Sequence, residues 1–215
     1  MKDILKRALL FVLLFIPLSC GDWMELQPPQ GLIREEFWKT KEDVEAVVMG
    51  AYATFASMDG LLFKYGEIRA DLVKGDINQS LDEQKIQESN IYPDNYMCDW
   101  GKFYTIINYC NEVIKYAPEV QLIDNTFSDY LMYGYLSEAY YLRSLAYFYL
   151  VRVFRDVPLV LTPTENDGTN FYVPKRDGDD ILNQIRLDLE TSRNWATIDG
   201  FQTLAENKGR ATKAA

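Results

Sequence analysis

The chain of 215 residues contains no histidine, which removes the commonest general base and the commonest metal ligand together. Basic residues are in deficit, 22 against 32 acidic ones for a formal charge of -10. Phosphate binding needs a basic surface, so nucleic acid is excluded as a partner. Catalytic fingerprints are missing too: there is no Gly-x-Ser-x-Gly elbow, no Walker loop, no Rossmann glycine pattern and no Cys or His metal spacing. The expectation is a binding protein that is not an enzyme, with no cofactor and no metal. What the chain does have is apolar mass, 48% hydrophobic and 14% aromatic, ample for a core and incompatible with disorder over most of its length.

The first nineteen residues stand apart. Lys2, Lys6 and Arg7 precede an apolar run from Ala8 to Leu18 and then Ser19-Cys20, the layout of a secretory signal. The run is too short to span a bilayer, which takes about 20 residues. Residues 1–19 therefore read as a lipoprotein signal peptide, and their removal leaves the remainder more acidic still. Cys20, behind the small Ser19, occupies the position of an acylated lipoprotein cysteine, although Pro17 stands where such signals usually carry Leu. Lipidation there converts a secreted domain into an anchored one. Residues 20–34 read as the lipidated Cys and an extended tether, since Gly21 to Leu32 lacks a helical period and contains Pro28-Pro29. The other cysteines, Cys98 and Cys110, lie about 18 Å apart if one helix holds both, beyond disulfide reach. They read as free, buried thiols.

The rest is helical in pattern. Thr40 caps a helix with Val44, Val47, Val48, Ala51, Tyr52 and Phe55 inward, ending before the turn pair Asp59-Gly60. Residues 60–97 are least regular, with a short helix between Leu62 and Val73 and a polar run from Asn78 to Asn90. Trp100 to Tyr116 forms a second helix, with Pro118 as its stop. Its apolar stripe includes Asn111, which must be hydrogen-bonded if buried and is expected to fix a neighbouring loop or helix end. A third helix runs from about Ser128 to Phe154, apolar on nearly every face over Ser137 to Leu159, so other helices must bury it. After a Pro- and Thr-containing connection, Asp177 or Asp179 caps a fourth helix, Asp180 to Trp195, with Ile181, Ile185, Leu189 and Trp195 inward. The fold class is all-α, a tetratricopeptide-like helical stack with irregular loop insertions, although the repeat signature of that class is absent. Gly209 to Ala215 reads as the start of a helix without the length to finish, so the stack is expected to be truncated at the C-terminus.

These segments together resemble the SusD/RagB family of outer-membrane nutrient-binding lipoproteins of the Bacteroidetes. The resemblance rests on Cys20-Gly21-Asp22-Trp23, Phe37-Trp38, Trp100-x-x-x-Tyr104-x-x-Ile107 leading to Asn111-x-Val113-Ile114, and Glu138-Ala139-x-x-Leu142-Arg143-x-x-Ala146-Tyr147-Phe148. It continues with Asp156-Val157-Pro158-Leu159, Asp188-Leu189-Glu190 and Gly209-Arg210-Ala211-Thr212. One departure is local: the family usually has Gly where Arg155 stands, at a helix end that often needs a positive φ. Family members are also commonly more than twice as long, so residues 35–215 read as an incomplete SusD-like N-terminal helical domain. The resemblance implies a palmitate-bearing, surface-exposed lipoprotein of the outer membrane that binds oligosaccharides and delivers them to a TonB-dependent, SusC-like transporter. A peptide-binding RagB-like relative and a helical scaffold with only protein partners remain the alternatives.

Glycan binding needs aromatic faces for sugar C–H surfaces and amide or acid groups for hydroxyls. Most of the fifteen Tyr, eleven Phe and four Trp lie on helix stripes. In the irregular segment the candidate ligand-binding residues are Asp71, Asp76, Asn90, Tyr92, Asn95 and Tyr96, against ordinary loop and cap duty. Glu138 and Arg143, like Asn111, read as structural, forming a buried ion pair or contacts to loop carbonyls that orient neighbouring helices.

Overall fold

The computed structural model describes residues 37–76, 78–165, 172–196 and 209–212. The signal peptide, Cys20, the tether and residues 213–215 lie outside the described residues. Helix α1, Lys41–Ala56, starts at a capping box in which Thr40 accepts from the Asp43 amide and Asp43 accepts from the Thr40 amide. That exchange satisfies two donors left over at the first turn. Val44, Val48 and Ala51 are its buried stripe. The Lys41 amide donates to Asp124 Oδ2 at 2.9 Å, fastening this end to a distant loop.

The pair Asp59-Gly60, expected as a turn, instead opens helix α2, Asp59–Glu67, because the chain turns just before it at Ser57-Met58. The polar run from Asn78 to Asn90 is likewise not irregular throughout. Ser80 and Glu83 form a second capping box and start α3, Leu81–Gln87, which buries Ile86 alone. A single buried residue leaves no apolar period to read.

Helix α4, Gly101–Gln121, passes through Pro118 and gains a further turn. Pro118 is exposed while Ala117 and Val120 are fully buried beside it, so core burial overrides the lost backbone hydrogen bond that usually ends a helix at proline. Helix α5, Asp129–Phe154, is capped by Ser128 and is about 39 Å long. It packs against α4 on one side and against α6, Gly178–Trp195, on another, and α1 packs mainly on α4. Asp177 caps α6, accepting from the Asp179 amide at 2.9 Å. Leu189, expected inward, is 42% exposed. The buried face of α6 is Gly178, Ile181, Ile185, Asp188 and Ser192, spaced 3, 4, 3 and 4, and Asp188 and Ser192 are polar.

Between α5 and α6 the chain turns sharply. Arg155 has φ 62° and ψ -79°, and the Asp156 amide donates to the Phe154 carbonyl at 2.9 Å. This is a γ-turn of the rarer, strained hand. Val157–Pro158 then pairs antiparallel with Lys175–Arg176, and Asp156 Oδ1 accepts from the Gly178 amide at 3.1 Å. A Cβ on Gly178 would stand 3.2–3.3 Å from Arg155 and Val151 atoms, so a larger residue fits only if these neighbours shift by a few tenths of an ångström. The connector is held by side chains from both long helices. Tyr147 Oη accepts from the Val160 amide (2.7 Å) and donates to its carbonyl (2.9 Å), Tyr104 donates to the Pro158 carbonyl (2.6 Å), and Asn108 accepts from the Thr164 amide (2.8 Å).

Arg155 therefore adopts the conformation that glycine takes without strain. Arg155→Gly is expected to stabilise the protein by about 1 kcal/mol, relief of backbone strain being partly offset by the greater freedom of the unfolded glycine chain. Equilibrium unfolding of the two proteins checks this, and a variant less stable than the parent contradicts it.

Candidate functional site

Two groups of residues stand out, a buried polar network inside the stack and a loop face beside it. Within the stack, Arg143 donates through Nε and Nη2 to the two carboxylate oxygens of Asp188, each at 2.8 Å, and through Nη1 to Asn111 Oδ1 at 2.8 Å. Asn111 Nδ2 in turn donates to the carbonyls of Val160 and Thr162, and Gln184 donates to Asp188 at 2.8 Å. The fork geometry satisfies both charges while joining α4, α5, α6 and the connector. Arg143 and Asp188 are almost wholly buried. Burial also pushes the neighbouring Cys110 thiol up to about 12, which removes its thiolate reactivity. Cys98 is free as well, but it sits half-buried in the 3-10 turn Tyr96–Cys98 rather than in the core, because α4 begins after it.

One turn and a half earlier on α5, Glu138 has 1% exposure. Its partner is not Arg143 but Arg210, which donates to both carboxylate oxygens at 3.0 and 3.1 Å and reaches Glu45 at 3.3 Å. The Ala211 amide donates to Tyr52 Oη at 2.7 Å. Residues 209–212 are thus clasped to α1 and α5. Burial raises the Glu138 carboxyl from its ordinary 4.5 to about 7, against the lowering pull of Arg210.

On the loop face, Tyr92 is 55% exposed, with Asn90 exposed nearby in sequence. Tyr96 is exposed but already engaged: its hydroxyl donates to Glu83 Oε1 (3.2 Å) and accepts from Lys64 Nζ (2.9 Å). Lys64 lies 5.4 Å from the ring centroid and 2.5 Å from Glu83. The Lys64 hydrogen bond, followed by that from the Ser80 amide, holds the Glu83 carboxyl down at about 2. Asn95 is 4% exposed. Its amide donates to the Asp82 carbonyl and its oxygen accepts from the Met97 amide, so the side chain builds the loop and is not presented to solvent. Asp71, at φ 56°, and Asp76 are exposed on the arm after α2, and a bond from Gln87 Nε2 to the Val73 carbonyl ties that arm to α3. Below the face is a cleft of about 130 Å³ between Arg69, Ile91, Cys98 and Phe154, too small and too apolar for a whole sugar. The segment thus offers one open aromatic side chain, at Tyr92, and exposed amide and acid groups at Asn90, Asp71 and Asp76. Among the described residues no group of three or more Cys, Asp or Glu is arranged to hold a metal ion.

Sequence reasoning missed Asp188, Arg210 and the Lys64–Glu83 pair. A signal existed for the first, since Asp188 falls on the stripe of Ile181, Ile185 and Ser192. Arg210 lies in the Gly209-Arg210-Ala211-Thr212 segment that carries the family resemblance, but its pairing with Glu138, like the Lys64–Glu83 pair, has no periodic signal in the chain.

Comparison with known proteins defines the class. A SusD-like family model, described as starch-binding associating with outer membrane, matches residues 22–213, and the chain belongs to the SusD-like family. SusD-like protein P38 of Formosa agariphila is 29% identical over 201 residues, covering 92% of this chain and 38% of its own length. SusD-like protein P2 of the same organism is 25% identical, covering 96% and 41%. The chain thus spans about two fifths of the length of these relatives. Among solved structures, a SusD superfamily protein from Bacteroides thetaiotaomicron superimposes with a TM-score of 0.64 at 26% identity, over 75% of this chain and 36% of that one. A laminarin-binding SusD-like protein shares the fold at 20% identity, with a TM-score of 0.64 over 82% and 38%.

Glu138 binds its proton more tightly in the folded protein than in the unfolded chain. Its contribution to stability is therefore complete below pH 4.5 and declines as the pH rises through about 7. Glu138→Gln is expected to flatten the stability profile across that window. Unfolding at several pH values checks this, and equal slopes in parent and variant contradict it.

Proposed function

We propose that this chain is the helical scaffold and loop face of a surface lipoprotein that binds oligosaccharides without transforming them. Acylation at Cys20 anchors it at the outer membrane, and bound glycan passes to a partner TonB-dependent, SusC-like transporter. The observation that carries this reading is the family match over residues 22–213, whose description joins starch binding to the outer membrane. The shared fold of a laminarin-binding relative supports it. So does the chain's acidity, which suits a neutral ligand better than an anionic one.

On this reading the rigid stack positions the loop face, and Tyr92, Asn90, Asp71 and Asp76 contact sugar. Tyr92 supplies a ring face to C–H groups while the amide and carboxylates take hydroxyls. Tyr96 contributes less, because its hydroxyl is already occupied by Lys64 and Glu83.

Titration calorimetry of the protein against neutral polysaccharides and oligosaccharides and against peptides tests the proposal. Glycan binding is expected, weakened about tenfold in Tyr92→Ala, the cost of losing one stacked ring of about 1 kcal/mol. Binding of peptides alone would move the protein to a RagB-like role. Silence toward both, with a β-barrel partner co-purifying, would make it a scaffold.

A further inference from the structure

We propose that the end of the α5–α6 pair carries a second carbohydrate-contacting site, a cleft that takes one neutral pyranose ring of a polysaccharide. It rests on the glycan-binding reading above but uses residues remote in sequence from the loop face. The cleft, of about 250 Å³, lies between Tyr130, Tyr133, Asn194, Trp195 and Ala196. Tyr130 is 57% and Tyr133 41% exposed, with Trp195 half-buried and Asn194 exposed beside them. Single exposed aromatics are ordinary, but three around one concavity form a surface that exacts a hydration cost unless something covers it.

The platform is built rather than incidental. Trp195 stands with its ring centroid 5.4 Å from that of Tyr133 and 5.6 Å from that of Tyr140, the latter edge-on. Tyr140 is itself backed by the Arg143 guanidinium, 5.1 Å from its ring, so the buried ion pair supports the wall of the cleft. Ser137 and Ser192 exchange hydrogen bonds, Ser137 Oγ to the Ser192 carbonyl at 2.9 Å and Ser192 Oγ to the Ser137 carbonyl at 2.8 Å. These fix the end of α6 on α5 just inside the cleft. A pre-ordered aromatic surface binds without the entropy cost of arranging it.

The chemistry of the lining selects the occupant. Three aromatic rings offer faces to axial C–H groups, one amide can donate to and accept from vicinal hydroxyls, and no lining side chain carries charge. A neutral sugar fits; a uronate or a sulfated sugar finds no cation there. Pockets that engulf a whole ligand hold about 300–1,000 Å³, so this one suits a single ring of a longer chain. A stable protein partner needs about 800 Å² on each side, more than five residues provide. A weak contact of this kind acts through avidity, because a polymer already held at the loop face reaches the cleft at high effective concentration.

Affinity electrophoresis through gels containing a neutral glucan, with short-oligosaccharide calorimetry in parallel, tests the site. Tyr130→Ala combined with Asn194→Ala changes exposed groups only, and Trp195→Phe retains an aromatic fill as a control for folding. The double variant is expected to lose about fivefold or more in retention by the polymer, with short-oligosaccharide affinity unchanged and Trp195→Phe intermediate. Parental retention of the double variant overturns the cleft, whatever Tyr92→Ala does. Loss of polymer retention in the double variant, with Tyr92→Ala indistinguishable from the parent in both assays, upholds the cleft and overturns the loop-face reading. A parent protein that no neutral glucan retains overturns the cleft as well.

Discussion

A guanidinium buried in the middle of the longest helix is the constraint on which the rest of the structure depends. An isolated buried charge costs several kcal/mol in lost hydration, so Arg143 is compatible with this fold only if its donors are met from outside its own helix. Asp188 of α6 supplies a bidentate carboxylate and Asn111 of α4 supplies an amide oxygen, all at 2.8 Å. Those bonds leave little freedom in how the three helices are rotated against one another. Apolar packing alone tolerates many arrangements of similar volume. The polar network selects one, and through Asn111 it also places the connector at Val160 and Thr162.

Glu138 repeats the device for a different element. Its carboxylate, equally buried, holds residues 209–212 through Arg210, while Glu45 adds a second anion and Tyr52 takes the Ala211 amide. Two charges of opposite sign on one apolar helix thus organise separate neighbours, and neither pairs with the other. The loop face then rests on a frame whose rotation is fixed. Its own order comes from local means: the Ser80–Glu83 capping box, the Asn95 hydrogen bonds and the Lys64–Glu83–Tyr96 cluster.

The long helices were legible in the sequence because their apolar periods are long and their caps explicit. Thr40 caps its helix as expected, Asp177 rather than Asp179 caps α6, and the helix expected from about Ser128 has Ser128 itself as its cap. The architectural reading of Asn111, Glu138 and Arg143 followed from charge and amide groups on apolar stripes, yet their partners did not, since each is 32 to 72 residues away. Within the polar run from Asn78 to Asn90, a local capping box starts α3, and one buried residue, Ile86, leaves no apolar period to reveal it. Two other misread features share a cause: Pro118 as a stop and Leu189 as core follow from local preference without tertiary burial. Burial carries α4 through its proline and hands the inward place on α6 to Asp188. In the loop segment, exposure could not be read from composition: Asn95 and Tyr92 look alike as candidates, and only the fold separates the buried amide from the open ring.

The two proposed binding surfaces, the loop face with Tyr92 and the aromatic cleft whose wall leans on Arg143 through Tyr140, both rest on the frame that the buried charges hold in place. The central claim is that Arg143 and Asp188 act as one unit in setting the helical stack. A double-mutant cycle in equilibrium unfolding, comparing Arg143→Ala, Asp188→Ala and the combination with the parent, measures this directly. Each single change should destabilise strongly by stranding a buried charge, and the pair should show a coupling energy of about 2–3 kcal/mol. Additive effects within about 0.5 kcal/mol would mean that the two charges act independently and that apolar packing alone orients the helices.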